Sequence, residues 1–227
     1  MALNPNFNQE TIKGVLIDLD GTLLDHLSVI SRCYEYAAEK MGYTAPTFEE
    51  VKRAIGGSMP VTTAKFFKPE HVEDAIGHWR EHFEDIYLED VHLMPGAMDL
   101  LINLQKLEIP AAVFTNKSGR HSRSVCESLG ATPYLKFVLG TEDTEYRKPQ
   151  PEFSQIALEK LGVDASQTIM IGDSPFDIQA ATSVGMTSFT VPTGSHTKDE
   201  LISSGSDRAF NNLKEIADQV FPDLCHT

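Results

Sequence analysis

Five short, mainly apolar runs punctuate this chain: Val15–Ile17, Ala111–Phe114, Phe137–Leu139, Ile169–Ile171 and Ser188–Val191. A strand with one face in water alternates apolar and polar residues, whereas these runs do not, so each reads as a strand buried on both faces, as in a parallel sheet. Helical patterns lie between them. Pro95 opens one, with Leu100, Leu101, Leu104 and Leu107 on its buried stripe. Pro151 opens another, with Phe153, Ile156, Ala157 and Leu161 inward and Gly162 as its stop. Thr197-x-x-Glu200 reads as a capping box. Strand–helix alternation of this kind predicts an α/β fold built on a doubly wound parallel sheet.

One interval breaks the alternation. Between the first strand and the run at Ala111, the stretch from His26 to Leu93 reads as helix only. Leu27, Ile30, Tyr34, Ala37 and Met41 recur at helical spacing, Thr47-x-x-Glu50 is a second capping box, and Val72, Ile76, Trp79, Phe83 and Ile86 form a stripe after Pro69. A parallel crossover needs only about a dozen residues. The excess predicts an α-helical cap inserted at 26–93 into a core made of 1–25 and 94–227.

Charge narrows the partners. The formal net charge is −14, which disfavours nucleic acid and anionic lipid, and no basic run offsets it. An anionic substrate would need a local cation. Cys33, Cys126 and Cys225 are odd in number and form no C-x-x-C pair, so free thiols in a reducing compartment are expected. Without a signal-like N-terminus or an apolar run of membrane length, a soluble cytoplasmic protein is expected. Only the polar stretch Asn4–Thr11 and the last few residues read as disordered.

Four clusters follow predicted strands, and in open α/β sheets ligands gather at the carboxyl ends of strands. Asp18-Leu19-Asp20-Gly21-Thr22 supplies two carboxylates in a turn that Gly21 permits. One suits a nucleophile or metal ligand and the other a proton carrier, although Asp and Gly also make ordinary turns. Thr115-Asn116 offers a hydroxyl and amides for phosphoryl oxygens, or a helix cap, a role for which Ser118 competes. Lys148-Pro149 offers the required cation, or a solvated lysine. Gly172-Asp173-Ser174-Pro175-Phe176-Asp177 offers hard oxygen ligands suited to Mg²⁺, or a capped helix start. Together the four supply the parts that phosphoryl transfer requires.

These motifs, in this order and spacing, resemble those of the haloacid-dehalogenase-like superfamily. Met94-Pro95-Gly96 and Thr193-Gly194 are similar to the phosphoglycolate-phosphatase and β-phosphoglucomutase branch. The resemblance implies that Asp18 attacks phosphorus to form an aspartyl-phosphate. It implies that Asp20 protonates the leaving oxygen and then deprotonates water. Mg²⁺ would bind Asp18, the Asp20 carbonyl and Asp173, with Asp177 supporting. Gly21, Thr115, Asn116 and Lys148 would hold the phosphoryl group of a small phosphorylated metabolite. His26 stands where the family often has a small hydroxylated residue; it is expected at the surface near the hinge, where it could face substrate. In the cap, Arg53, Gly56, Gly57 and Ser58 are expected to form a loop over the substrate. His78 and His82 share a helix face without a third metal ligand and read as solvated.

The expected function is a Mg²⁺-dependent phosphate-monoester phosphatase. A phosphomutase of the same fold is the alternative. Dehalogenase chemistry has no need of Asp20 or Mg²⁺. A phospho-aspartate signalling module is the distant alternative, since a second carboxylate would speed loss of the phosphoryl group that a switch must keep.

Overall fold

The computed structural model describes residues 11–222. Cys225 and residues 4–10 of the polar N-terminal stretch lie outside them. In chain order the elements are β1 (Gly14–Ile17), β2 (Leu24–Asp25), α1 (Leu27–Met41), α2 (Phe48–Ala54), α3 (Met59–Thr63), α4 (Val72–Ile86), β3 (His92–Leu93), α5 (Ala97–Lys106) and β4 (Ala111–Ser118). They continue with α6 (Gly119–Ser128), β5 (Val138–Thr141), α7 (Pro151–Leu161), β6 (Thr168–Gly172), α8 (Pro175–Thr182), β7 (Thr187–Thr190), α9 (Lys198–Ser203), β8 (Arg208–Ala209) and α10 (Leu213–Val220).

The main sheet has six parallel strands in the order β5-β4-β1-β6-β7-β8. Burial alternates sides residue by residue. Val15, Ile17, Val113, Ile169 and Ile171 pack on one face with α5 and α10. Leu16, Ala112, Phe114 and Met170 pack on the other with α7 and α8. Apolar residues on both faces explain why the strand sequences run without polar interruption. Strand order reverses at β1, which lies between β4 and β6, so the crevice of such a sheet opens at its carboxyl end, where Asp18 begins.

The helical stretch α1–α4 has its own buried cluster, with Tyr34, Val51, Trp79 and Phe83 at its centre. It joins the core through a two-stranded antiparallel ribbon in which Leu24 pairs with Leu93 and Asp25 with His92. Both capping boxes form, at Thr47 and Thr197. Pro151 starts α7, and Gly162 ends it in the left-handed region at φ 71°. The expected helix start at Pro95 moves to Ala97, because Gly96 turns the chain at φ 83° first. The short β2, β3 and β8, two residues each, lie below the length at which apolar patterning is readable.

Candidate active site

The turn after β1 sets the site. Asp18 N–H donates to the Ile171 carbonyl at 2.9 Å, extending the β1–β6 pairing by one residue. Gly21, at φ 84°, then reverses the chain, its N–H donating to the Leu24 carbonyl at 2.9 Å. A Cβ at Gly21 would press on Asp173 and Gly194, so the turn needs glycine for space as well as for φ.

Around Asp18 the core gathers buried charge. Lys148 Nζ lies 2.8 Å from Asp18 Oδ1 and 2.6 Å from Asp177 Oδ1 and is 3 % exposed. That burial excludes the solvated-lysine reading. Asp177 Oδ2 accepts from the Ser174 N–H and hydroxyl at 3.0 and 2.7 Å. Both its oxygens are therefore engaged, and the capping role and the support role coexist. Asp173 accepts from Thr22 Oγ1 at 3.2 Å and from the Ser195 N–H at 3.0 Å. Oxygens of Asp18, Asp173 and Asp177 lie within 4.8 Å of one another.

Three buried carboxylates around one ammonium leave excess negative charge. Burial is the main cause that pushes the Asp18 carboxyl up to about 6 and the Asp173 carboxyl up to about 8, with Asp177 adding repulsion. For Lys148, burial opposes the charge but the flanking Asp177 and Asp18 outweigh it and hold the ammonium on. A hard dication answers this donor set and its uncompensated charge. The buried cluster of Asp18, Asp173 and Asp177 could therefore hold a metal ion.

Asp20 sits in a different environment. Lys117 Nζ contacts both its oxygens, at 3.2 and 3.0 Å. His26 Nδ1 lies 3.5 Å from its Oδ1. Burial alone would raise the Asp20 carboxyl, but Lys117 and then His26 hold it well below the usual carboxylate range. His26 Nε2 lies 2.8 Å from the Tyr87 carbonyl, which only accepts, so Nε2 carries the hydrogen. Among the described residues Nδ1 has no hydrogen-bond partner, and a proton shared with Asp20 would close that gap. Burial and Lys117 lower the His26 pKa.

Several expectations need correction. His26 is 1 % exposed rather than at the surface, packed 5.6 Å from the Phe83 ring; it does not line the cavity between Asp18 and the helical layer but borders a smaller one with Asp20 and Asp173. Arg53 turns away from the larger cavity and bridges to the core, donating to Glu200 at 2.9 Å and to the Ser195 carbonyl at 3.2 Å. Gly56, Gly57 and Ser58 do line the larger cavity, with Gly56 at φ 114° against Ser174. Thr115 and Asn116 lie within the prolonged end of β4, and Ser118 takes the position before α6. The Asn116 side chain is occupied: its Oδ1 accepts from the Lys148 N–H at 2.8 Å and its Nδ2 donates to the Lys148 carbonyl at 3.1 Å. It positions Lys148. His78 pairs with Glu81 and His82 stacks on Tyr36.

Sequence reasoning missed Lys117 and Ser195, and it named Thr22 in the first motif without its contact to Asp173. Lys117 was findable, since it stands two residues from Thr115 on a strand and so shares its face. Ser195 was not, because only the fold brings it to Asp173.

The model of the family described as haloacid dehalogenase-like hydrolase matches residues 15–191. The chain belongs to this family. It is accordingly an enzyme, a hydrolase. A phosphoglycolate phosphatase from Vibrio parahaemolyticus is 30 % identical over 222 residues, covering 93 % of this chain and 97 % of that protein. Another from Aliivibrio fischeri is 29 % identical over 217 residues, covering 91 % and 96 %. Among solved structures, a haloacid dehalogenase-like family hydrolase from Streptococcus pneumoniae superposes with a TM-score of 0.85 at 20 % identity, covering 91 % of this chain and 97 % of that one. CbbY from Rhodobacter sphaeroides, in complex with phosphate, gives 0.77 at 22 % identity, covering 90 % and 96 %. At these identities the two structures speak to fold alone. Among the described residues, no helix is long and apolar enough to cross a membrane.

Proposed function

We propose that this hydrolase is a Mg²⁺-dependent phosphatase of small phosphate monoesters, working through an aspartyl-phosphate as the phosphoglycolate phosphatases it resembles suggest. One observation carries the reading: at the carboxyl end of the sheet Asp18, Asp173 and Asp177 form a buried acidic cluster with Lys148 between Asp18 and Asp177, and a second carboxylate, Asp20, stands two residues on beside Lys117. A nucleophile, a cation and a separate proton carrier at one sheet edge are the parts that phosphoryl transfer through a carboxylate requires.

Asp18 is the nucleophile. One of its oxygens attacks phosphorus as the bond to the leaving oxygen breaks. Lys148 balances charge on Asp18 and on the phosphoryl oxygens, and Thr115 with the backbone of Asn116 and Gly21 cradles them. Asp18, the Asp20 carbonyl and Asp173 would hold Mg²⁺, with Asp177 supporting, and the bound ion would supply neutralisation of the negative charge gathered at the site. The leaving oxygen takes a proton from Asp20. Water then attacks phosphorus while Asp20 takes one of its protons, freeing Asp18 and inorganic phosphate. For the first step Asp20 must hold a proton, and Lys117 opposes this. Lys117 therefore has to shift toward the incoming phosphoryl group, and His26 Nδ1 offers the proton a second anchor. Residues 26–93 act as the cap over this chemistry.

The test is phosphate release from a set of small esters with Mg²⁺, comparing the native enzyme with Asp18→Asn. Loss of turnover in a variant with an unchanged circular dichroism spectrum is expected. Retained turnover would remove Asp18 from the mechanism, and isomerisation of a sugar phosphate without net phosphate release would favour a mutase.

A further inference from the structure

Arg53 plays no part in the phosphoryl chemistry, yet it is the residue by which α2 grips the core. Its Nη1 donates to the Ser195 carbonyl at 3.2 Å and to the Glu200 carboxylate at 2.9 Å. Glu200 in turn caps the start of α9, accepting from the Thr197 N–H and hydroxyl at 2.7 and 2.8 Å. One guanidinium therefore ties both ends of the segment 195–200 to the helical layer. Among the described residues, no other side chain of α2 hydrogen-bonds to that segment. The ion pair with Glu200 is about half exposed on both partners and contributes little by itself. The bond to Ser195 reaches further.

Ser195 is 4 % exposed, and Asp173 Oδ2 accepts from its N–H at 3.0 Å and from its hydroxyl at 3.3 Å. The residue is thus held at its carbonyl by the helical layer and at its N–H by a carboxylate of the acidic cluster. The loop lies hard against that carboxylate, because a Cβ placed on Gly194 would overlap it. A shift of the loop therefore moves Asp173 or strips a donor from it. Thr193 anchors the near end of the loop within the core, its Oγ1 donating to the Gly21 carbonyl at 2.7 Å. The far end depends on Arg53.

A separate observation shows why packing does not do the same work. A cavity of about 160 Å³ lies between α2 and this loop, bordered by Phe48, Lys52 and Ile55 on one side and by Asp173, Gly194 and Ser195 on the other. Apolar contact does not fill that space. The hydrogen bonds of Arg53 supply the attachment.

We propose that Arg53 is a positioning residue for Asp173. Acting through Ser195, it holds that carboxylate in the orientation that binds a divalent cation, so docking of the helical layer sets cation affinity. It touches neither cation nor substrate. The inference rests on the Mg²⁺ proposed for this cluster and assigns one control over it. By linkage the coupling is reciprocal, and a bound cation holds α2 to the core.

The sign of the effect separates positioning from charge. On Coulombic grounds alone, removing a cationic side chain strengthens binding of a dication nearby. Positioning demands the opposite. Mg²⁺ and Mn²⁺ affinities are measured at pH 8 by calorimetric titration of the native protein, Arg53→Met, Arg53→Lys and Arg32→Met. Methionine keeps the apolar stem and removes the donors, whereas lysine keeps the charge and a donor. Arg32 pairs with Glu89 inside the helical stretch and is the charge-matched control. Residues bonded directly to a metal ligand matter by about 10–100-fold. Arg53 acts one bond further out, so Arg53→Met should weaken Mg²⁺ binding by about 3–10-fold. Arg53→Lys should recover part of that loss, and Arg32→Met should leave the affinity unchanged. Saturating Mg²⁺ should also slow amide hydrogen exchange in α2 of the native protein, and slow it less in Arg53→Met. An Arg53→Met affinity equal to the native one or tighter, a loss matched by Arg32→Met, or exchange in α2 of the native protein that ignores Mg²⁺ overturns the positioning role and leaves the cation site standing. A native protein that binds neither Mg²⁺ nor Mn²⁺ overturns the cation reading itself.

Discussion

Replacing Lys117 with methionine should raise the pH at which Asp20 titrates by about 1–2 units. The lysine ammonium touches both Asp20 oxygens, and the two side chains are 8 % and 15 % exposed, so solvent screens the pair little. At 3.0 Å the direct attraction is about 5.5 kcal/mol for an effective dielectric of about 20. Burial of both ions cancels part of this, and hydrogen bonds to charged groups net about 1.5–3 kcal/mol. At about 1.36 kcal/mol per pKa unit, the range is about 1–2 units. Methionine keeps the apolar stem that packs under Phe83, whose ring centroid lies 4.9 Å from Lys117 Nζ. The assay is a ¹³C carboxyl titration of aspartate-labelled protein without added metal, with the Asp20 signal assigned by Asp20→Asn. His26 stays in place, so a residual depression is expected. An Asp20 carboxyl that titrates at the same pH in both proteins would refute the reasoning, as would one that moves down.

Burial raises Asp18 and Asp173 to about 6 and about 8. Their contribution to stability is therefore full below about pH 4 and drains away as pH rises through those values. Asp20 is lowered, so its contribution is present above about pH 4 and lost only on acidification. Between pH 5 and 8 the first pair governs, and Mg²⁺ should raise Tm more at pH 8 than at pH 5; equal shifts, or an effect of EDTA that ignores pH, would count against a cation among these carboxylates. A Cβ at Gly194 would overlap the Asp173 carboxylate, so Gly194→Ala should weaken Mg²⁺ affinity by about 10–100-fold, read by calorimetric titration. Gly96 combines φ 83° with a backbone contact to Lys214 that leaves no room for Cβ. Gly96→Ala should then destabilise by about 2–4 kcal/mol, and an unchanged urea midpoint would show that the turn can relax.

The core of the site was legible because its residues stand directly behind apolar strands. Asp18, Thr115 and Asp173 each follow a buried run, and a parallel sheet brings such positions to one edge. Lys148 was legible as a cation that an acidic chain must supply somewhere. What the sequence hid was traffic between elements. Arg53 looked like a substrate contact and His26 like a surface residue, because nothing local marks a guanidinium that reaches Glu200 or an imidazole enclosed by Phe83, Tyr87 and Asp20. Asn116 was expected to hold phosphate, yet its amide clamps a loop 32 residues away. Trp79 and Phe83 were read as core by their spacing. They do pack in the helical cluster, and in addition they roof the larger cavity, a double duty that periodicity cannot separate.

The ribbon of Leu24–Asp25 with His92–Leu93 has a consequence beyond joining two layers. Paired antiparallel strands leave the core side by side, with Cα atoms about 5 Å apart. The sheet therefore meets the whole helical stretch as if it were one tight hairpin. Its length imposes almost no strain on strand order. The chemistry at the sheet edge and the shape of the chamber above it are then free to change at different rates, so a lineage could exchange the roof, and with it the alcohol that is accepted, while the hydrolytic machinery stays as it is.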